Sequence, residues 1–394
     1  MSRSLRIFIS VAEDSADVHA ASLVREARRR ISTAGFYGLT GPRLRALGVQ
    51  TVFDLSAHAA MLSGVFGIIG KALRAVAAVE HAWDAAPPDV VVLVDSPELH
   101  LRLAKKAKAR GYPVLYYVAP QTWASREGRN RRIARDVDRL ACILPFEEAY
   151  FRAAGVSAEF VGHPLFEALS RELPSPQRIA SLRSDERPLL ALLPGSRKHV
   201  IDGVLPMQLR ILRRIAESGV AFRPAISAVD ADRVPRIRRH LEAAGMPAEI
   251  VVADNASLLS AADLVLVASG TATLHVAHYR KPMIVVYDAG PLFNWGYRWV
   301  GSRIVRTPHL SLVNVLARRR LVPEFMPCVR DVNQPAAVAA QLLTDERWRA
   351  LMRVGLDELV APLEGTQASR RVCELIRELA GLPAERPGPA PAAR

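Results

Sequence analysis

The chain has 394 residues, of which half are apolar and 23% are charged, and its formal net charge is +14. This length favours two domains rather than one, and the apolar content is sufficient for folding without disulfides. The three cysteines, Cys142, Cys328 and Cys373, are far apart, which argues against a zinc site or a disulfide framework and favours a reducing compartment.

The N-terminal segment predicts a protein that stays in the cytoplasm. Its short apolar run meets Glu13 and Asp14 at once, unlike the longer apolar region of a secretory signal. The most lipid-like stretch, "AHAAMLSGVFGIIGKALRAVAAV" from Ala57, is interrupted by Lys71 and Arg74 before it reaches the roughly 20 apolar residues of a spanning helix. We expect this stretch either to be a core helix or to lie on a membrane without crossing it.

Nine apolar runs with amphipathic segments between them predict two parallel sheets. The first series comprises "LRIFISV" (5–11), "DVVVLVD" (89–95), "YPVLYYV" (112–118) and "RLACILP" (139–145). The second comprises "PLLALLP" (188–194), "AFRPAIS" (221–227), "AEIVVAD" (248–254), "DLVLVAS" (263–269) and "PMIVVYD" (282–288). The fold class is therefore α/β with two Rossmann-like halves.

The composition also predicts the domain boundaries. A polar, proline-containing stretch over 168–187 separates the two series of strands and is interpreted as a linker. We predict an N-terminal domain over 1–168, a second domain over 187–345, C-terminal helices over 346–381 that pack back on the first domain, and a disordered tail over 382–394.

Polar residues follow four of the predicted strands, at the sheet edge where open parallel sheets bind ligands. The four loops are "AEDSAD", "DSPE", "PGSRK" and "SGTATLH". In "PGSRK" a glycine allows close approach of backbone N–H groups to an anion, a helix begins nearby, and Arg197 and Lys198 add positive charge. Taken singly, such a loop is more often a helix cap than a phosphate site, but two in one half favour a nucleotide.

The loops narrow the class of nucleotide ligand. Walker and GxGxxG patterns are absent from the sequence, which argues against P-loop and dinucleotide-binding proteins and leaves a nucleotide-sugar or a similar phosphorylated donor. The net charge of +14 attracts nucleic acid, anionic lipid or phosphorylated substrates. Because the arginines are dispersed without interleaved aromatic residues, no nucleic-acid partner is expected.

Eight segments, in this order, resemble those of bacterial lipid-A-disaccharide synthases over about residues 5–380. They are "GPRLRALGV" (41–49), "VDSPELHLRLAKK" (94–106), "YVAPQTWASREGR" (117–129), "IARDVDRLACILPFE" (133–147), "FVGHPL" (160–165), "LLPGSR" (192–197), "ASGTATL" (268–274) and "LSLVNVLARRRLVPEF" (310–325). The resemblance implies a GT-B glycosyltransferase, with two Rossmann-like domains whose parallel sheets face an interdomain cleft.

The implied reaction is an inverting transfer that joins a UDP-activated diacylglucosamine to a diacylglucosamine 1-phosphate and releases UDP, as a step of lipid A biosynthesis. The implied partners are these two acylated sugars and the anionic inner face of the inner membrane, on which the protein is peripheral. No metal and no cofactor are expected, because the "DVD" at 136–138 and the "DAD" at 230–232 are patterns that arise easily by chance. We assign no oligomeric state from the sequence.

The resemblance also implies roles for individual residues. Asp95 matches the family's catalytic base, although position alone fits a helix cap equally well. The implied nucleotide-binding residues are Gly195, Ser196, Arg197, Ser269, Gly270, Thr271, Thr273 and His275. The implied acceptor and lipid side comprises Glu13, Ser15, Asp17, Met61, Phe66, Trp123, Arg126 and Asn314. Helix capping by Asp17 and simple packing of Trp123 are the alternatives.

The sequence departs from the family pattern at functional positions. His275 stands where the family has a glutamate that accepts hydrogen bonds from the donor ribose, and a neutral imidazole accepts through one nitrogen only. Asp288 replaces a family arginine, and Ala12 and Ala16 replace both glycines of the first loop. These departures leave open a lipid-binding paralogue without transferase activity, and the shared architecture leaves open a UDP-sugar 2-epimerase-like isomerase.

Overall fold

The computed structural model describes residues 4–54, 65–288, 309–327, 329 and 331–383, with the side chains of 65–69 outside this description. The chain divides into two units. The first comprises Met1–Pro164 and Thr366–Arg394, and the second comprises Leu165–Gly365.

The first unit is built on a parallel sheet. Its described strands are β1 (Leu5–Ser10), β2 (Ala34–Leu39), β3 (Gln50–Phe53), β4 (Val90–Val94), β5 (Val114–Tyr117), β6 (Arg139–Cys142) and β7 (Ala158–Phe160). They are ordered β3-β2-β1-β4-β5-β6-β7, and every pair is parallel. All five residues of β4 are buried, as expected of a central strand with helices on both faces.

Helices cover the two faces of this sheet. They are α1 (Asp14–Arg30), α2 (Pro42–Ala46), α3 (Val65–Ala85), α4 (Pro97–Ala109), α5 (Asn130–Asp136) and α6 (Pro145–Ala153), and α7 (Pro164–Leu169) begins at the unit's last residue before the chain enters the second unit. Alternate residues of β1 enter different cores: Ile7 and Ile9 pack with α1, whereas Phe8 packs with Val79 and Trp83 of α3.

The C-terminal helix Ala368–Leu379, here α16, packs against α1 in the first unit. Its buried residues, among them Val372 and Ile376, share one core with Leu23 and Val24 of α1. Arg371 forms an ion pair with Glu159 of β7, with an Nη2–Oε2 distance of 2.9 Å. The predicted tail over 382–394 lies outside the described residues from 384 onward.

The second unit repeats the same architecture. Its described strands are β8 (Leu189–Leu193), β9 (Arg223–Ala228), β10 (Glu249–Val252), β11 (Leu264–Val267), β12 (Met283–Val286) and β13 (Glu324–Phe325). They pair in parallel in the order β10-β9-β8-β11-β12-β13. The helices that follow α7 are α8 (Pro176–Leu182), α9 (Lys198–Glu217), α10 (Val234–Ala244), α11 (Asn255–Ala261), α12 (Ala272–His278), α13 (Leu312–Ala317), α14 (Asn333–Thr344) and α15 (Glu346–Val360).

The strand order places one topological switch point in each sheet. The chain winds outward in one direction from β1 and in the other from β4, and in the second unit from β8 and from β11. In open parallel sheets the crevice beyond the carboxyl ends of such a central pair is where ligands bind. The α/β class with two parallel sheets is confirmed.

The apolar stretch that begins at Ala57 is described only in part. Its later residues form α3, in which Ala75, Val76 and Val79 are buried, whereas Leu73 is 55% exposed beside the exposed Arg74. Among the described residues, no helix combines the length and apolar character needed to cross a membrane.

Candidate active site

The four predicted loops follow the four strands that flank the switch points. Glu13 and Ser15 lie after β1, and Asp95 lies directly after β4. In the second unit the Gly195 turn follows β8 and Ser269 follows β11. Each sheet therefore brings two of the four loops together at one edge, because β1 pairs with β4 and β8 pairs with β11.

Asp95 has a backbone conformation that is unusual for an aspartate. Its φ is 57° and that of Ser96 is 47°, so two consecutive residues other than glycine lie in the left-handed region. Its N–H donates to the carbonyl oxygen of Tyr117 at 2.9 Å. Its own carbonyl oxygen accepts hydrogen bonds from Tyr116 Oη at 2.5 Å and from His100 Nδ1 at 2.6 Å. The N-cap residue of α4 is Ser96, which does not support the helix-cap alternative for Asp95.

The surroundings of Asp95 suit a proton acceptor. Burial raises the pKa of its carboxyl group, the Ser96 N–H opposes this rise, and the negative charges of Glu13 and Glu98 add to it. Glu13 and Asp95 are far apart in the sequence, because Glu13 belongs to the loop after β1 and Asp95 follows β4. A carboxylate whose pKa lies above its ordinary value is a stronger base at neutral pH.

Glu98, whose charge acts on Asp95, binds two arginines. Glu98 accepts from Nη1 of Arg126 at 2.8 Å and from Nη2 of Arg129 at 3.0 Å. The Glu98 and Arg126 side chains are 66% and 61% exposed, so their pairing adds little to stability. Arg126 is thus bound to a carboxylate whose charge acts on Asp95, and its role on the acceptor side stays a prediction.

The first loop separates into exposed and structural residues. Glu13 and Ser15 are exposed at the beginning of α1. Asp17 is 1% exposed, and its carboxylate accepts from the backbone N–H groups of Arg43 at 2.7 Å and Leu44 at 3.2 Å, in the first turn of α2. Asp17 lies inside α1 and its carboxylate caps the start of α2, whereas its place on the acceptor side stays a prediction.

Trp123 packs on the first unit rather than standing free. Its Nε1 donates to Oε1 of the buried Glu147 at 3.1 Å, and its ring meets Phe146 edge to face at 5.1 Å. This geometry matches the packing alternative, and the half-buried ring leaves a border role open as a prediction. The predicted lipid-side residues Met61 and Phe66 lie outside the described residues and side chains.

The turn after β8 has the shape expected of an anion site. Gly195 has a φ of 106°, a conformation that L side chains rarely adopt, and a Cβ there would come within 2.7 Å of Val200 Cγ1. Ser196 and Arg197 are exposed, and Arg197 is the N-cap residue of the 20-residue helix α9. The first N–H groups of such a helix lack intrahelical acceptors and attract negative charge.

The turn after β11 supplies a smaller polar surface. Ser269 and Gly270 are partly exposed and Thr271 is exposed, with Gly270 at a φ of 126°. Thr273 is fully buried, and its hydroxyl donates to the carbonyl oxygen of Gly270 at 2.8 Å. Thr273 therefore stabilises the turn, whereas the other three residues are accessible to a ligand.

His275 lies in α12, and its side chain is 14% exposed. Its Nε2 is buried and has no hydrogen-bond partner among the residues that the structure describes. A carboxylate oxygen of Glu172 lies 3.7 Å from that nitrogen. His275 replaces the glutamate of the family pattern, but a carboxylate is still nearby, because Glu172 in the segment between α7 and α8 supplies one.

Asn314 forms its side-chain hydrogen bonds within its own unit, and its place on the acceptor side stays a prediction. Its side chain is fully buried and lies in the second unit. Its Nδ2 donates to the carbonyl oxygen of Val322 and to Glu324 Oε2, both at 2.9 Å, and its Oδ1 accepts from the N–H groups of Leu321 and Val322. Because these four bonds use the donors and acceptors of the amide, Asn314 holds the loop before β13.

Sequence reasoning did not identify His100, Tyr116 or Arg233. His100 and Tyr116 bind the carbonyl oxygen of Asp95, and Nε of Arg233 donates to the carbonyl oxygen of Ser196 at 3.3 Å. A signal was present for His100, since a polar ring interrupts the apolar face of "LHLRLA" in α4.

Comparison with known proteins identifies the family. The model of the family described as lipid-A-disaccharide synthetase matches residues 7–374. The lipid-A-disaccharide synthase of Geobacter metallireducens is 35% identical, over 95% of this chain and 97% of the relative. That of Myxococcus xanthus is 36% identical, over 96% of this chain and 98% of the relative.

Solved structures agree on the fold at low sequence identity. A complex of Staphylococcus aureus MnaA with UDP has a TM-score of 0.66 at 14% identity, covering 97% of this chain and 99% of that one. The calicheamicin glycosyltransferase CalG4 has a TM-score of 0.57 at 15% identity, with the same coverage. These similarities concern the fold alone, and they confirm the GT-B class predicted from the sequence.

The family model and the two relatives each cover nearly the whole chain, including every loop of the candidate site. The resemblance stated from the sequence motifs is therefore confirmed: the chain belongs to the lipid-A-disaccharide synthetase family.

Proposed function

We propose that this chain transfers an acylated glucosamine from a UDP-sugar to a diacylglucosamine 1-phosphate, with Asp95 as the general base. Membership of the family makes the chain a hexosyltransferase that uses a UDP-sugar donor and a lipid-A precursor as acceptor. The observation that carries the catalytic assignment is the position of Asp95 at the switch point of its sheet, with a carboxyl pKa that burial raises.

The proposed step is a single displacement with inversion. The acceptor hydroxyl oxygen attacks the anomeric carbon of the donor while its proton passes to the Asp95 carboxylate. The bond between the anomeric carbon and the diphosphate oxygen breaks, and its electron pair leaves with UDP. The proposal includes no metal and no cofactor.

The second unit would hold the leaving group. Arg197 and the N–H groups at the start of α9 would bind the diphosphate, where negative charge increases as the bond breaks. Accessible Ser269, Gly270 and Thr271 would contact the same nucleotide, and His275 with Glu172 would lie toward its sugar.

The acyl chains would enter beside the first unit. Exposed Leu73 next to Arg74 on α3 supports contact with an anionic membrane surface, as does the net charge of +14. Glu13, Ser15, Arg126 and the border of Trp123 would line the acceptor side of Asp95.

The two alternative functions are not favoured. The 2-epimerases that share the fold are only 10–14% identical to this chain, whereas full-length relatives near 35% identity are synthases. A binding paralogue without activity is not favoured either, because Asp95, Gly195, Ser196 and Arg197 are all present.

The test is a matrix of substrate pairs. Purified protein is incubated with acylated or unacylated UDP-N-acetylglucosamine and with a monoacyl or diacyl sugar phosphate, and UDP release is measured. We expect release with the acylated donor and the diacyl acceptor together. Absence of release with every pair would contradict the proposed function, and conversion of the unacylated UDP-sugar without an acceptor would favour the isomerase.

A further inference from the structure

The turn that carries Asp95 needs external support. Asp95 and Ser96 both have positive φ angles, 57° and 47°, and neither is a glycine. Side chains with a Cβ avoid this region, so such residues persist only where the surrounding structure fixes them. The turn therefore depends on contacts from outside the residues that form it.

Two buried side chains provide this support through the backbone. The carbonyl oxygen of Asp95 accepts from Tyr116 Oη at 2.5 Å and from His100 Nδ1 at 2.6 Å, which uses both of its lone pairs. Tyr116 and His100 are both fully buried. Neither bond involves the Asp95 carboxylate, so the two side chains set the position of the residue rather than its chemistry.

The protonation of His100 follows from its partners. Burial lowers the pKa of His100 to about 4, so its ring is neutral at neutral pH and carries one N–H. A carbonyl oxygen can only accept, so that hydrogen is on Nδ1. Nε2 must then accept from the hydroxyl of Ser10, 2.8 Å away at the end of β1. The ring connects the last residue of β1 to the carbonyl of Asp95.

We propose that His100 and Tyr116 are positioning residues of the transfer reaction, which hold the Asp95–Ser96 turn so that the carboxylate meets the acceptor hydroxyl. This inference rests on the proposed function, since it assumes that Asp95 is the base. Neither residue is a catalytic residue, because neither would touch a substrate. A misplaced base reduces turnover and leaves binding at the second unit unchanged.

The matched test compares two tyrosines. Both tyrosines belong to the same core, and the hydroxyl of each donates to a carbonyl oxygen at 2.5 Å. Tyr116→Phe removes the bond to Asp95, whereas Tyr37→Phe removes the bond to Ala86. We expect kcat to fall on the order of 10-fold or more in Tyr116→Phe. Tyr37→Phe should keep kcat within about twofold because its bond lies away from Asp95. UDP affinity should be unchanged in both.

A second pair of variants separates the two bonds of the imidazole. His100→Leu removes both, whereas the amide of His100→Asn can place an N–H near the position of Nδ1 and cannot reach Ser10. We expect His100→Asn to recover most of the kcat that His100→Leu loses. If His100→Leu does not fold, Tyr116→Phe still tests the proposal.

The pH profile gives a readout that a purely structural role would not change. Burial and the charges of Glu13 and Glu98 raise the pKa of Asp95, and a looser turn admits water to the carboxylate. The acid limb of kcat/KM should therefore move to lower pH in Tyr116→Phe and stay in place in Tyr37→Phe.

The outcomes distinguish this inference from the assignment of the base. Asp95→Asn is measured in the same series. If Asp95→Asn is inactive while folded Tyr116→Phe and His100→Leu keep the wild-type kcat and acid limb, the positioning inference is wrong and the base assignment stands. If Asp95→Asn is fully active, the base assignment itself fails.

Discussion

The turns after β4 and β8 each follow a strand of the central pair of their sheet but are held in different ways. The Asp95 turn has positive φ angles at residues with side chains. Its backbone is fixed because the Asp95 carbonyl oxygen accepts from Tyr116 and His100 and the Asp95 N–H donates to the carbonyl oxygen of Tyr117. The turn after β8 uses Gly195, which adopts its φ of 106° with little strain, and its side chains Ser196 and Arg197 are exposed.

This difference matches the two tasks proposed for the turns. A general base must be placed within a fraction of an ångström of one proton, so a polar network buried in the protein has to hold it. A diphosphate site can instead present exposed donors and complete its geometry when the anion binds. The comparison predicts that changes at the first turn alter turnover, whereas changes at the second alter nucleotide affinity.

The largest expected effect is at Asp95. Asp95→Asn preserves the shape of the side chain but cannot accept the proton, so we expect turnover to fall by about 10²- to 10⁴-fold. UDP affinity, measured by titration calorimetry, should stay at the wild-type value. A parallel fall in UDP affinity would show that the two turns are not separate in function.

A smaller effect is expected at the turn after β8. Arg197→Ala removes the charge-assisted hydrogen bond proposed to the diphosphate, which should weaken UDP binding by about 1.5–3 kcal/mol, or roughly 10- to 150-fold. Calorimetric titration with UDP measures this loss. Arg210→Ala is the matched control, since Arg210 is an exposed arginine farther along the same helix α9. Equal losses in both variants would contradict a specific contact.

The sequence predicted the central strands and missed the marginal ones. All nine apolar runs became strands, because buried parallel strands are continuously apolar. The missed strands are β2, β3, β7 and β13. β2 contains two glycines, and β7 and β13 span only three and two residues at sheet edges, so neither length nor periodicity distinguishes them from loops.

For the site, the sequence located the loops but not the contacts within them. Residues directly after the central strands could be found because parallel sheets gather those ends at one edge. His100 could not be assigned, since its partner Ser10 is 90 positions away and the two meet only when β1 pairs with β4. Asn314 could be located by its motif, but the motif does not reveal the four hydrogen bonds that its amide forms in the fold.

The smallest predicted effect concerns another buried carboxyl group of the first unit. Glu147 is 1% exposed, and it accepts from Trp123 Nε1 at 3.1 Å and from the N–H groups of Leu144 and Ile143 at 3.1 and 3.2 Å. Burial nevertheless raises the pKa of Glu147 to about 7 from 4.5. Between pH 4.5 and about pH 7 the unfolded chain therefore releases this proton while the folded state retains it. The contribution of Glu147 to the free energy of unfolding accordingly decreases as the pH rises through this range.

Glu147→Gln removes this titration while keeping an oxygen that can accept from Trp123. Between about pH 5 and about pH 8, the melting temperature of the wild type should fall relative to that of the variant. This relative fall should be a few degrees, since a change of about 1 kcal/mol in the free energy of unfolding moves Tm by roughly 2–4 °C in a domain of this size. Glu242→Gln, the same change at an exposed carboxyl group of α10, should show no such relative shift. If the wild type and Glu147→Gln respond equally to pH, then Glu147 is not protonated in the folded protein, and its three N–H donors outweigh its burial.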